Sequence, residues 1–333
     1  MFSRAMSDWE VTFWDVGQGD ASTIKLPDGS YILIDAGPTA KCGNPISRWF
    51  AEHAELVIRK VVITHNHRDH FGGLISLLAS GRGIEEVLIL PDKSLYEDPE
   101  KKDFRMLRQS IEPRVKAGIL ACTWFDGAPY EVYNDGTLRL VALRPKKLPV
   151  PVREDQNQSS MVLQVESVAN PGVPIVVWGG DALLKDVEKC VAPSHPGVLM
   201  GPHHGEPQDK FKTKADCAKV LSNFAPGCLF VSVSTQNTYQ HPQRYYLFAA
   251  SSFGATVCCS EITPRCAKYL RSDVDIYPGS MMLGIRKPFG AIQCRGSMRI
   301  TVSPTTGVAF DESQDEFKKA VQSVENRYCK LAV

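Results

Sequence analysis

The chain has 333 residues, 43% of them hydrophobic, enough apolar surface for one large domain or two smaller ones. A net charge of +1 with histidine neutral excludes a bulk positive field that would hold nucleic acid unaided. Ten cysteines without a Cys-x-x-Cys pair argue for reduced thiols used as core filler in a cytosol. Met1 to Glu10 has no apolar h-region, and no apolar run reaches the ~18 residues of a membrane span, so a soluble cytoplasmic protein is expected.

Trp9 to Val16 alternates as a strand and runs into a glycine-rich turn, Asp15-Val-Gly-Gln-Gly-Asp20. For Gly17 and Gly19, plain turn chemistry and a part in shaping a site are equally open. Strands at Ala21 to Leu26 and Tyr31 to Asp35 flank Pro27-Asp-Gly-Ser30, a hairpin signal, and the second ends on Asp35-Ala-Gly37. Asn44 to Val57 places Ile46, Trp49, Phe50 and Leu56 at helical spacing, with Asn44 as cap and Pro45 at the first position. His53 on this helix is read as surface or packing.

The next stretch carries the chemistry. Lys60 to Ile63 reads as a buried strand and Leu74 to Ala79 as an apolar helix, with Thr64-His-Asn-His-Arg-Asp-His-Phe-Gly-Gly73 between them. His65, His67, Asp69 and His70 fall within six positions, a spacing that only a loop can turn toward one point. Imidazoles and a carboxylate suit zinc or a similar divalent ion, and this many can serve two ions side by side.

Beyond it the expected elements are a strand at Glu86 to Leu90, a helix at Pro99 to Ala117 and a strand at Gly118 to Thr123. A Pro- and Lys-rich connector, Arg144 to Pro151, reads as a solvated loop. Strands follow at Ser160 to Glu166, Pro174 to Trp178, Gly197 to Met200 and Cys228 to Val233, with helices at Leu183 to Cys190, Lys210 to Asn223 and Pro242 to Ser251. Met281 to Arg286 and Met298 to Val302 read as strands, and Asp311 to Cys329 as an amphipathic helix with acids in its first turns. This order predicts an α/β fold with mixed sheets in a single domain, 1–333, whose core spans about 9–260, with 278–330 completing or decorating it.

Of eight histidines, only His53 and His195 lie outside histidine-bearing loops. Asp181 ends the apolar strand Val176-Val-Trp-Gly-Gly-Asp181, where a carboxylate stands clear of its sheet and can bridge two cations; helix capping is the alternative. His203 and His204 follow another strand and read as one ligand and one supporting or substrate-facing group. His241, in Asn237-Thr-Tyr-Gln-His-Pro242, precedes a helix and suits an anion there, or else caps it.

Together these loops resemble a known family. Thr-His-x-His-x-Asp-His-x-Gly-Gly is the signature of the metallo-β-lactamase fold. With Asp15 to Asp20, Asn157 to Leu163, Gly180-Asp181, His203-His204-Gly205 and Asn237 to Pro242, the chain looks like the branch containing the hydrolase domain of the bacterial competence protein ComEC. The resemblance implies an αββα sandwich of two mixed sheets with a two-metal site at their edges. By position, His65 and His67 would hold one ion, Asp69 and His70 the other, Asp181 would bridge, and His204 would complete the second, with His203 beside the substrate; the last two are interchangeable. Family members often carry a further histidine before the bridging acid, but none occurs here between His70 and His195, leaving Asn157 or water to serve the first ion. Glu206 and Pro207 replace the serine usual after the histidine pair, and the membrane channel of ComEC has no counterpart in this chain.

The function these residues imply is phosphodiester hydrolysis, as a nuclease or phosphodiesterase, with two zinc (or manganese) ions activating a water. Asp69, His203 and His241 form the expected catalytic set, and Asn157, Ser160, Asn237, Tyr239 and His241 the substrate-binding set. Nucleic acid or another phosphodiester is the expected partner, with room for a protein partner encoded nearby. The alternatives are an acyl hydrolase on the same fold and a binding or scaffold subunit with an idle metal site.

Overall fold

The computed structural model describes residues 8–38, 44–90, 102–144, 156–191, 193–206, 214–267, 274–311 and 313–324. The connector expected at 144–151 lies outside them beyond Arg144, as do Pro207 and parts of three expected helices, at 99–101, 210–213 and 325–329.

One sheet is built from β1 (Trp9–Phe13), β2 (Ala21–Lys25), β3 (Tyr31–Ala36), β4 (Ile58–Val62), β5 (Ile84–Ile89), β6 (Ala121–Trp124), β14 (Met298–Ser303) and β15 (Gly307–Phe310). Their order across it is β15-β14-β1-β2-β3-β4-β5-β6. The other takes β7 (Tyr130–Asn134), β8 (Leu138–Leu143), β9 (Val162–Ser167), β10 (Pro174–Trp178), β11 (Val198–Met200), β12 (Cys228–Val231) and β13 (Thr256–Cys259), in the order β13-β12-β11-β10-β9-β8-β7. Both sheets are mixed. β3 to β6 run parallel in the first and β10 to β13 in the second.

Period-two alternation explains the layers, because successive side chains of a strand leave on opposite faces. Ile32 and Ile34 of β3 enter the core between the sheets, whereas Tyr31 and Leu33 pack outward. Val176 and Trp178 of β10 enter the same central core, and Val177 faces away. Strands apolar on both faces need cover on both. α1 (Pro45–Glu52), α2 (Arg68–Ala79) and α3 (Lys102–Lys116) cover the first sheet through Phe50, Leu74 and Leu107. α4 (Leu184–Val191), α5 (Lys214–Ser222) and α6 (Arg244–Ser252) cover the second through Val187, Leu221 and Tyr246. The result is the expected αββα sandwich.

Rings lock the two sheets together. Phe13 stacks on Trp178 at 5.9 Å and meets Phe230 at 5.3 Å, and the Trp178 indole N–H donates to Ser22 Oγ at 3.0 Å. Asn44 caps α1 as expected, accepting from the Ser47 N–H at 3.1 Å. His53 accepts the packing role: it lies on Trp49, ring centroids 4.7 Å apart, with Nδ1 against the Trp49 carbonyl.

Three readings change. The strand expected at Met281 to Arg286 is instead a short helix, Gly279–Met282, since an apolar run this brief does not distinguish the two periods. α2 begins at Arg68 rather than Leu74, so Asp69 and His70 occupy its first turn. β7, β8, β13 and β15 are additional strands, recruited by pairing to neighbours rather than by alternation of their own. Among the described residues no helix is long and apolar enough to cross a membrane.

The C-terminal elements are structural members of the sandwich. β14 pairs with β1, and Phe317, 1% exposed on the last helix Ser313–Gln322, enters the central core. Its neighbour Arg295 is buried between the Tyr277 and Phe317 rings, 5.2 and 5.6 Å away, and paired with Asp311 at 3.2 Å. Phe317→Ala is expected to lower unfolding free energy by about 3–5 kcal/mol, the usual cost of emptying a buried phenyl site, read by urea denaturation.

Candidate metal centre

In each sheet the parallel strands end on the same side, and the loops that leave them converge there. Thr64 to His67 follows β4, Gly179 to Asp181 follows β10, Gly201 to His204 follows β11, and the loop from Ser232 to His241 follows β12. The Thr64 carbonyl accepts from the Met161 N–H at 2.9 Å, which ties the first sheet's loop to the second sheet.

Among the described residues three groups of ligand atoms form, one of them Asp20, Asp35 and His70 behind the other two. Those of His65, His67 and Asp181 lie within 4.8 Å of one another, as do those of Asp69, His70 and His204. Asp181 touches both groups: its Oδ2 is 3.5 Å from His65 Nε2, and its Oδ1 is 3.2 Å from His70 Nε2 and 3.9 Å from His204 Nε2. All of this is buried except parts of His67 and Asp69. His65 Nε2, His70 Nε2 and Asp181 Oδ1 make no hydrogen bond, though buried polar atoms almost always do. Inward-facing imidazole and carboxylate lone pairs without donors fit divalent cations, and the N/O set suits zinc or manganese.

The histidines are aimed from behind by acids that local sequence reading left without a role. Asp35, at the end of β3, accepts at Oδ2 from His70 Nδ1 (2.8 Å) and Thr64 Oγ1 (2.8 Å), and at Oδ1 from the Thr64 N–H (2.8 Å). Asp20 Oδ1 stands 3.2 Å from His204 Nδ1. A carboxylate at Nδ1 fixes the tautomer and turns Nε2 toward the metal position. The only sequence signal for these two acids was their place at strand ends beside glycine-rich turns.

Burial opposes charge on His70 and His204, yet facing carboxylates carry both well above the ordinary imidazole range, Asp181 and Asp35 for the first, Asp20 and Asp181 for the second. Burial likewise opposes ionisation of Asp181, but His70, His65 and His204 hold it well below the carboxylate range. His67 and His241 are pushed down to about 4, by burial and then by neighbouring histidines. The pocket is therefore internally ionic at its floor and neutral at its mouth.

Backbone strain gathers here. Among the described residues, the non-glycine residues with left-handed backbone are Asp35, His203, His204 and Gln240, at φ 53°, 49°, 52° and 63°. Gly19 decides the question left open for its turn: a Cβ there would stand 2.2 Å from the Asp69 carbonyl oxygen, so only glycine lets that loop close on the metal loop.

Other expected site residues fall in distinct places. Ser160 is fully buried and its Oγ accepts the Asp181 N–H at 3.1 Å, so it positions the acid rather than facing substrate. Asn237 is turned inward too, donating to the His241 carbonyl at 2.8 Å and accepting from the Tyr239 N–H at 2.8 Å; it shapes the loop. Asn157 is buried with its Nδ2 3.5 Å from His203 Nε2. His241 sits at the mouth, its ring 5.1 Å from that of His203, and Gln243 rather than His241 is the cap residue of α6. Tyr239, 68% exposed, stacks on His241 at 5.9 Å with ring planes 12° apart.

The sequence model of the Metallo-beta-lactamase superfamily matches residues 14–221, well over half of the chain and including every ligand candidate above. The chain belongs to the metallo-beta-lactamase superfamily. Recombination protein 2 of Haemophilus influenzae (strain ATCC 51907 / DSM 11121 / KW20 / Rd) is 31% identical over 91 residues, 26% of this chain and 11% of that protein. The chain thus spans about a tenth of that curated relative. Among solved structures, human tRNase Z, short form, aligns at a TM-score of 0.40 and 16% identity over 68% of this chain and 93% of its own. Unliganded yeast PDE1 aligns at 0.47 and 13% identity over 76% and 98%.

Behind the Asp15 to Asp20 loop lies a second acidic contact. Burial raises both Asp15 and Glu261, and Glu261, pushed up to about 8, keeps a proton that it shares with Asp15. Gln293 Nε2 also donates to Asp15 at 2.8 Å, while Asp275 nearby is paired with Lys287 at 2.7 Å. A carboxyl raised from 4.5 to about 8 on folding stabilises the fold fully below pH ~4.5 and loses that contribution as pH rises through ~8. Glu261→Gln donates without needing a proton, so thermal melts of the two proteins should coincide near pH 5 and favour the variant at pH 9.

Asp35→Asn keeps the shape at His70 but removes the charge. Metal affinity is expected to fall about 10- to 100-fold in a competition titration against a chromophoric chelator.

Proposed function

We propose that the chain is a metal-dependent phosphodiesterase acting on nucleic acid. The observation that carries this reading is Asp181 standing between two ligand groups, within 3.9 Å of histidines from both. His65, His67 and Asp181 would hold one divalent cation and Asp69, His70, His204 and the same Asp181 the other. Zinc or manganese bound there supplies Lewis acidity to activate water and to offset charge on a phosphoryl group.

The chain's own residues do the rest. Asp20 and Asp35 keep His204 and His70 oriented, so that the pocket needs little rearrangement. His241, uncharged at neutral pH because of its burial and its histidine neighbours, presents an imidazole at the mouth where a phosphoryl oxygen or leaving oxygen would lie. Its Nδ1 is buried without a hydrogen-bond partner. Tyr239 continues the His241 ring outward as an exposed aromatic face, the kind of surface on which an unstacked base rests. Arg265 donates to Gln240 between those two residues at 2.7 Å, placing a cation near the path of a polyanion. An exposed aromatic face beside the His/Asp cluster, with Arg265 near it, supports a nucleotide substrate over an acyl compound.

The test is a panel of single-stranded DNA, RNA and small phosphodiesters with zinc or manganese supplied. Wild type is expected to cleave oligonucleotides and to stop in EDTA, and Asp69→Ala to lose about a hundredfold or more of that activity. Tyr239→Ala should raise KM about tenfold on an oligothymidine and leave it unchanged on an oligomer of abasic sites. No cleavage of any phosphodiester with either metal would refute the reading.

A further inference from the structure

The two ligand groups are unequal. Asp69, His70 and His204 with Asp181 give the second cation four protein ligands, whereas His65 and His67 with Asp181 give the first only three, and the sequence has no histidine between His70 and His195 to make up the difference. We infer that His203 is the missing ligand, so that the adjacent histidines of one turn serve different ions, His203 the first and His204 the second. This rests on the two-cation reading above.

The geometry points that way from three sides. His203 Nε2 stands outside both compact groups but 3.7 Å from Asp181 Oδ2, the oxygen that is 3.5 Å from His65 Nε2, whereas His204 Nε2 lies 3.2 Å from Asp69 Oδ2, inside the second group. Ligands of one cation sit at about this mutual spacing when each is ~2 Å from the ion. His203 Nδ1 is 3.1 Å from the Glu206 carbonyl oxygen, which can only accept, so the proton belongs on Nδ1 and the Nε2 lone pair turns inward, the tautomer a metal ligand requires. The Asn157 Nδ2 meets that nitrogen at 3.5 Å, the long limit of a hydrogen bond, a contact that a cation bound there would displace.

The backbone is shaped to split the pair. His203, His204 and Gly205 are successive left-handed residues, at φ 49°, 52° and 82°, and a Cβ on Gly205 would stand 2.5 Å from Pro242 Cβ. Left-handed backbone is unfavourable for a non-glycine residue, so two in a row need an external reason. Their rings end with centroids 6.1 Å apart and planes 44° from parallel, His204 beside His70 of the second group and His203 displaced from it.

Metal content settles it without an activity assay. His203→Asn is the test variant because asparagine tolerates left-handed backbone, and far-ultraviolet circular dichroism checks its fold. Zinc per chain, measured by mass spectrometry after gel filtration, is expected to drop from two to one. His67→Ala/His203→Asn should still hold one, because both changes strike the same ion, whereas His203→Asn/His204→Asn should hold none. His203→Asp, which returns a ligand oxygen, should regain the second ion. Two ions in a folded His203→Asn, or none, would overturn the assignment while leaving the two-cation reading in place. Fewer than two in the wild type overturns that reading as well.

Discussion

Everything in this molecule answers to one electrostatic constraint, the burial of Asp181 among histidines. A carboxylate taken out of water must be matched by nearby positive charge or lose its own. Without a cation the pocket solves this by drawing protons onto His70 and His204 and holding Asp181 ionised. Divalent ions would satisfy the same lone pairs without those protons, so the cluster is chemically suited to hold metal, and its metal affinity would be tied to the release of protons.

Holding so many polar groups in one place takes exact backbone placement, and the sandwich supplies it. The parallel strands of both sheets end at one edge, so each contributes a loop without long excursions. Where loops collide, the side chain gives way. Gly19 passes the Asp69 carbonyl, and Gly73 on α2 passes the Ala36 carbonyl, where a Cβ would stand 2.0 Å from its oxygen. Where a side chain must be turned inward, the backbone gives way, as at Asp35, His203 and His204. The stability of the aromatic core between the sheets is what sustains these local costs.

The mouth of the pocket has a different character from its floor. His70, His204 and Asp181 at the floor are buried, charged and mutually paired, whereas His241 at the mouth, held neutral by burial and its histidine neighbours, stacks on the exposed Tyr239 with Arg265 close by. Under the proposed function such a gradient would separate two tasks, the holding of cations and the recognition of what surrounds a phosphate. The acid pair of Asp15 and Glu261 belongs to neither; it braces the loop that carries Gly19 and Asp20 to the floor.

What could be read from the sequence was whatever is local. The apolar strand runs Tyr31 to Asp35 and Pro174 to Trp178, the Asn44-Pro45 helix start and the donor types of the His65 to His70 run all depend on residues a few positions apart; they led to an α/β fold with mixed sheets and to a metal loop, and the sandwich came from the family resemblance of the motifs. The roles that only the folded chain decides are those of through-space partners. Asp35 and His70 meet across 35 positions, and Asp20 and Asp181 from two loops and Asp69 from the first turn of α2 reach His204. Ser160 and Asn237, polar residues in promising loops, turn out to carry neighbours rather than face outward, because a hydroxyl or amide is committed by whichever backbone group the fold brings beside it. Period and donor chemistry are properties of a segment; coordination and support are properties of an arrangement.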